Sequence, residues 1–249
     1  MRLAILPLLL TCGVVAACNG TPAPPQSAAQ PAVTQPSDAP RPVTVSMTKE
    51  RQATINAETA LAMLKQGNER FVAGEMTQRD LREQVKATGE AQYPYASVLS
   101  CIDSRSGPEL VFDQGIGDIF APRVAGNVVN EDILGSLEYA SRVAGSRLVV
   151  VLGHTSCGAI KGACDNVKLG NLTPLLGRLR EVVDRVEHVG DRTSANHEFV
   201  DMVAEANVRD VVADIRSRSQ VLADMEKKGE IKIVGAMLNV ATGRVTFLE

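Results

Sequence analysis

The chain has 249 residues, 45% of them hydrophobic and 22% charged, with a formal net charge of −3 at pH 7, the profile of one globular domain with extensions. It has no block of basic residues, no tryptophan and only 3% aromatic side chains. With little to pair with phosphates or stack on bases, a nucleic-acid partner is excluded.

At the N-terminus, Arg2 is followed by an apolar run from Leu3 to Ala17. A charged start, a short apolar stretch and small residues before a cleavage point make residues 1–17 a predicted secretory signal peptide. The run is shorter than the roughly 20 residues a bilayer span needs. Val15-Ala16-Ala17-Cys18 resembles the bacterial lipobox, whose cysteine is lipidated and becomes residue one; a plain signal peptide cleaved nearby is the alternative. The expectation is an exported protein of the periplasm or cell envelope, anchored to a membrane through lipid on Cys18. Asn19, where inner-membrane lipoproteins carry aspartate, leans toward the outer membrane. Residues 18–52 are rich in Pro, Ala, Gln, Ser and Thr and cannot offset their own ordering entropy, so they read as a tether. The folded domain is expected over 53–249.

Residues 57–73 place Leu61, Leu64, Asn68, Phe71 and Val72 at helical spacing, predicting an amphipathic helix that forms an N-terminal arm. Strand and helix then alternate. Strands are predicted over 95–102, 118–125 and 147–154, with a helix over 131–144 between the last two. Helices follow within 156–165, 173–188 and 198–217. The Leu148–Leu152 run is apolar throughout, as in a strand buried on both faces of a parallel sheet. A short helix near 219–227 leads into two strands, 231–240 and 245–248, whose short connection predicts an antiparallel hairpin at the sheet edge. The fold class is α/β, a mostly parallel sheet flanked by helices. Pro122, which has no N–H to give a ladder, makes the second strand an edge strand.

Two stretches carry chemistry. "CIDSR" places Cys101, Asp103 and Arg105 at alternate positions, which an extended strand would turn to one side. "HTSCGA" places His154 and Cys157 just after the buried strand and at the start of a helix. Ligands in open parallel sheets bind beyond the carboxyl ends of strands, so the three residues Cys101, His154 and Cys157 converge if their strands are neighbours. Two thiolates and an imidazole suit Zn²⁺ and leave a fourth position open, as catalytic sites do. A helix N-terminus is expected to lower the thiol pKa of Cys157. Taken singly, each residue has a plainer reading: a buried core cysteine, a loop histidine, a redox thiol, an Asp–Arg turn.

Together, "CIDSR" and "HTSCGA", one strand–helix–strand unit apart, resemble the β-class carbonic anhydrases. "LKQGNERFVAG", "FDQGIGDIF…RVAGN" and "VGAMLNVATGRVTFL" are similar to that family's first helix, second strand region and closing hairpin. The resemblance implies a zinc lyase, one Zn²⁺ per chain, that interconverts carbon dioxide and bicarbonate by a hydroxide generated on the metal. It implies Cys101, His154 and Cys157 as ligands and Asp103 with Arg105 as a dyad. In an open form Arg105 holds Asp103 as an acceptor for the metal's water; in a closed form Asp103 takes the fourth position. It further implies Gln92, Phe120, Tyr139 and Gly158 around the substrate, and a homodimer or higher oligomer whose pocket is built from two subunits. Because two thiolates cancel the ion's charge, activity should rise toward alkaline pH.

His188 and His197 have no ligand partners at metal spacing. Of the five cysteines, Cys12 leaves with the signal peptide and Cys18 is lipidated, so Cys164 is left over as a buried thiol. Two rivals remain: a related zinc hydrolase of carbonyl sulfide or carbon disulfide, and a non-catalytic zinc or redox protein with a Cys101–Cys157 disulfide.

Overall fold

A computed structural model describes residues 45–248. The expected signal peptide, Cys18 and most of the tether lie outside the described residues. The folded unit begins before the expected boundary at 53, because Met47 is buried in the main core and Thr48 caps a first helix, α1 (Lys49–Ala53).

The sheet has five strands in the order β2-β1-β3-β4-β5. These are β1 (Ala96–Ser100), β2 (Ile119–Phe120), β3 (Leu148–His154), β4 (Lys232–Leu238) and β5 (Val245–Leu248). The first four in that order run parallel, and β5 returns antiparallel beside β4 as the predicted hairpin. β3 sits at the centre and all seven of its residues are buried, which is why its sequence is apolar without alternation. Successive side chains leave its two faces in turn. Leu148, Val150 and Leu152 join one core with Leu61, Leu64 and Phe112; Val149 and Val151 join another with Val208, Val211 and Ile215. Each such fully buried side chain contributes about 1.5–3 kcal/mol.

The first core is covered by α2 (Ala57–Ala73), bounded as predicted. Asn56 caps its start, and Gly74 ends it in the left-handed conformation at φ 74°. This N-terminal arm does not stand clear of its own chain. Gly67 lies against the Phe112 carbonyl, and Asn68 donates to the carbonyls of Val111 (3.0 Å) and Gly243 (2.8 Å). The second core is covered by α8 (His197–Arg218) and α9 (Gln220–Lys227).

Three short helices carry no clear apolar stripe and were not expected from periodicity: α1, α3 (Leu81–Thr88) and α4 (Pro108–Val111). The helix predicted over 131–144 is α5 (Glu131–Glu138), continued by a wider π turn over Tyr139–Val143. α6 (Gly158–Cys164) and α7 (Leu172–Arg185) follow β3. β2 is an edge strand as Pro122 requires, but only two residues long. Beyond it Pro122 still accepts from Ser100 N–H (3.0 Å), and Val124 N–H donates to the Ser100 carbonyl (3.0 Å). Among the described residues no helix is long and apolar enough to cross a membrane.

Candidate metal centre

β1 and β3 are neighbours, with Ser100 level with Leu152, so both deliver their carboxyl ends to one place. Cys101 follows β1, His154 ends β3, and Cys157 is the residue before α6. All three are buried, and their ligand atoms lie within 4.8 Å of one another. Cys101 and Cys157 are free thiols, not a disulfide. Ile160, Leu179 and Phe199 are buried in the same packed apolar cluster as the two cysteines.

The donor atoms are prepared for a cation. His154 Nδ1 donates to the Thr155 carbonyl at 2.9 Å, a tautomer that leaves a lone pair on Nε2. That Nε2 is buried and has no hydrogen-bond partner, an arrangement that costs free energy unless a ligand takes the lone pair. The Gly126 N–H donates to Cys101 Sγ at 3.4 Å. A side chain at Gly126 (φ 68°) would come within 2.7 Å of Leu179, so only glycine brings this N–H to the sulfur.

Protonation follows from crowding. The hydrogen bond from Cys157 pulls the Cys101 thiol well below its usual range, against burial. Cys157 moves the opposite way, pushed up by Cys101 and by burial. The N–H groups of Ile160 and Ala159 at the start of α6 do lower the Cys157 pKa, as expected, but the neighbouring sulfur and burial outweigh them. At His154 burial disfavours the imidazolium, but the neighbouring Cys101 sulfur and its charge prevail and raise the pKa. One negative sulfur thus draws protons onto both neighbours, and a divalent cation would take their place. The residues present fit a zinc ion: Cys101, His154 and Cys157 would hold it.

The alternation expected for Cys101, Asp103 and Arg105 does not occur. β1 stops at Ser100, and the chain turns, with Ser106 N–H donating to the Asp103 carbonyl (3.0 Å). The turn itself brings the carboxylate back. Arg105 donates Nε to Asp103 Oδ1 and Nη2 to Oδ2, both at 2.9 Å, and its N–H to Oδ1 at 2.9 Å. This grip, foremost the side-chain bonds, holds Asp103 far below the usual carboxylate range. Asp103 Oδ2 is 4.0 Å from His154 Nε2, so the dyad borders the cluster.

Two bracing residues escaped the sequence reading. Ser106 Oγ donates to the carbonyls of Cys101 (3.2 Å) and Asp103 (3.0 Å). Arg123 reaches the same pair, Nε to Cys101 at 2.9 Å and Nη2 to Asp103 at 2.6 Å. "RVAGN" was visible as a motif, but nothing in its spacing says that Arg123 and Gly126 serve the turn after another strand.

Of the other candidates, Gly158 adjoins Cys157, and Gln92, Phe120 and Tyr139 lie apart from the cluster. Gln92 is exposed in the loop before β1, at the end of the sheet opposite Cys101. Phe120 and Tyr139 meet edge to face at 6.3 Å and line a groove at the β2 edge with Ala121, Pro122 and Ser136. Gly158 opens α6 with free space where a side chain would project. Cys164 is buried as expected. His188 lies beyond α7 with its ring 5.3 Å from that of Phe199, and His197 begins α8; neither joins the cluster.

Comparison with known proteins agrees with this geometry. A family model described as carbonic anhydrase matches residues 96–245. Carbonic anhydrase 2 of Mycobacterium tuberculosis is 38% identical over 198 residues, 78% of this chain and 94% of that protein. Among solved structures, a β-carbonic anhydrase of Aspergillus fumigatus superposes with a TM-score of 0.58 at 27% identity, covering 77% of this chain and 90% of that one. The β-carbonic anhydrase of Coccomyxa, solved with acetazolamide, gives 0.59 at 25% identity over 66% of this chain and 75% of its own.

Proposed function

The chain belongs to the β-carbonic anhydrase family, and from that premise we propose that it is a zinc-dependent carbonate dehydratase interconverting carbon dioxide and bicarbonate. One observation carries the reading: two sulfurs and an unpartnered imidazole nitrogen, distant in sequence, meet in a buried cluster. Zinc, when bound there, would supply a Lewis acid that lowers the pKa of water and so makes it a nucleophile.

The chain's own side chains do the rest. Arg105 keeps Asp103 ionised and facing the cluster, where its carboxylate accepts a hydrogen bond from solvent and orients it. Its pairing with Arg105 favours the open arrangement, in which Asp103 would leave the fourth position on the metal free. The apolar wall of Ile160, Leu179 and Phe199 limits the water that reaches the cluster.

Gln92, Phe120 and Tyr139 take up their substrate roles in a dimer or larger assembly. Their separation from the cluster within one chain supports this reading, as does the open β2 edge beside exposed Tyr139 and Val143. A second copy at that edge would bring its Gln92, Phe120 and Tyr139 to the cluster of the first. The charged start and lipobox-like Cys18 support export and a lipid anchor in the cell envelope. A Cys18→Ser variant should then leave the membrane fraction for the soluble one while keeping its activity.

Stopped-flow hydration of carbon dioxide, run beside a carbonyl sulfide assay and a zinc determination, tests the function. Turnover of carbon dioxide with one zinc per chain supports it. Turnover of carbonyl sulfide alone transfers the site to the sulfur analogues, and zinc without either activity leaves a binding protein.

A further inference from the structure

The turn that joins His154 to Cys157 contains a strained residue with its own restraint. Ser156 has φ 54°, the left-handed region that side chains other than glycine resist. Its N–H donates to Asp201 Oδ1 at 2.8 Å. Asp201 is half-buried on α8, and that helix is fixed by Phe199, Val200, Val203 and Ala204, all buried. The rest of the turn is held by backbone neighbours: Thr155 N–H donates to the Leu238 carbonyl (2.9 Å), and Val240 N–H donates to Thr155 Oγ1 (3.1 Å). Only Ser156 depends on a side chain from across the fold.

The same helix restrains the other half of the cluster. Asn207, about 9 Å further along α8 at 1.5 Å per residue, donates Nδ2 to the Gly126 carbonyl at 2.9 Å. Gly126 in turn gives its N–H to Cys101 Sγ. Gly126 is also left-handed, but as a glycine it needs no compensation. Ser156 does, and the Asp201 carboxylate is the group placed to supply it.

We propose that Asp201 is a positioning residue of the metal centre, holding the His154–Cys157 turn in its left-handed form by accepting the Ser156 N–H. The proposal rests on the zinc reading. Without Asp201, Ser156 relaxes toward ordinary backbone angles, and His154 and Cys157 no longer point to a common centre.

The test measures zinc affinity by competition with a chromogenic chelator on the full chain, for wild type, D201A, D201N, S156G and the D201A/S156G double variant. D201A should weaken zinc binding about tenfold or more, the scale of outer-shell losses, and D201N, which keeps an oxygen acceptor, should fall less. S156G alone should stay within about twofold of wild type, and in the D201A background it should restore most of the loss, because glycine adopts the left-handed turn without strain. A purely structural role for Asp201 on α8 would not be rescued at residue 156. Should D201A not fold, recovery of folding by added S156G supports the proposal and continued failure overturns it. D201A binding zinc as tightly as wild type, or a loss that S156G leaves intact, also overturns it. Wild type that takes up no zinc refutes the metal reading itself, a result distinct from either.

Discussion

Arg105 grips both carboxylate oxygens of Asp103, from a position two residues away, in a pair closed at 2.9 Å on each side. A bidentate guanidinium–carboxylate pair fixes orientation as well as charge. It leaves Asp103 Oδ2 4.0 Å from His154 Nε2, at the border of the Cys101–His154–Cys157 cluster.

Removing that acceptor should separate activity from metal binding. Asp103→Ala is expected to retain one zinc per chain and to lose at least about 100-fold in kcat, the scale for a positioned proton-handling group. Arg105→Lys, which cannot hold two oxygens at once, should fall between Asp103→Ala and wild type. Metal analysis beside stopped-flow rates checks both.

Cys157→Ala should behave differently, losing zinc and activity together. Two remaining donors cannot make a three-ligand catalytic site. Dialysis against a chelator followed by zinc determination reads this directly; an active Cys157→Ala variant would overturn the ligand assignment.

The pH profile of hydration should rise toward the alkaline side. A site with two anionic sulfurs cancels the charge of a dication, so coordinated water there is less acidic than the value of about 7 found with three neutral imidazoles. Asp103 does not set this profile, because Arg105 keeps it ionised far below neutrality. Rates measured across the alkaline range check it, and a plateau reached well below pH 7 would contradict it.

Stability has its own acid limb, centred on Asp113. Its side chain is fully buried and bound by Arg70 Nε at 2.6 Å, by Arg79 and by Thr77 Oγ1 at 2.9 Å. Burial raises its pKa, but the bonds to Arg79, Arg70 and Thr77 outweigh it and the net direction is down. A depressed carboxylate contributes stability that is complete above its unfolded pKa of about 3.9 and is lost as pH falls through the folded value. Denaturant unfolding should therefore show a loss below about pH 4 that Asp113→Asn reduces. At neutral pH the same substitution should destabilise by about 3 kcal/mol, leaving two guanidinium groups without their anion.

Gly67→Ala tests the packing of α2. Alanine gains up to about 1 kcal/mol in helix propensity, but its Cβ would lie 1.9 Å from the Phe112 carbonyl oxygen and 2.8 Å from its carbon. Those are backbone atoms that cannot swing aside. Overpacking at the upper end of about 1–3 kcal/mol should win, and urea unfolding should show a net loss of about 2 kcal/mol.

How much of this was legible beforehand depended on distance along the chain. The apolar run of β3, the bounds of α2 and the closing hairpin are local patterns, and they hold. Cys101, His154 and Cys157 were legible because each ends or follows a recognisable element. The turn after β1 was not: alternation presumes that the strand continues, whereas β1 ends at Ser100 and Ser106 and Arg123 fold the next residues back. Arg123, Gly126 and Asp201 act on groups 20 to 45 residues away, a relation with no period to detect. α3 was missed because its apolar Leu81 and Val85 are exposed and mark no core face. Gln92, Phe120 and Tyr139 match their motifs, yet one chain does not bring them to the cluster.

X-ray absorption at the zinc edge of the purified full-length protein tests the central claim most directly. The account predicts two sulfur ligands near 2.3 Å and one nitrogen near 2.0–2.1 Å, completed by one light atom. A shell of oxygen and nitrogen only, or protein isolated without zinc and with Cys101 bonded to Cys157, would contradict it.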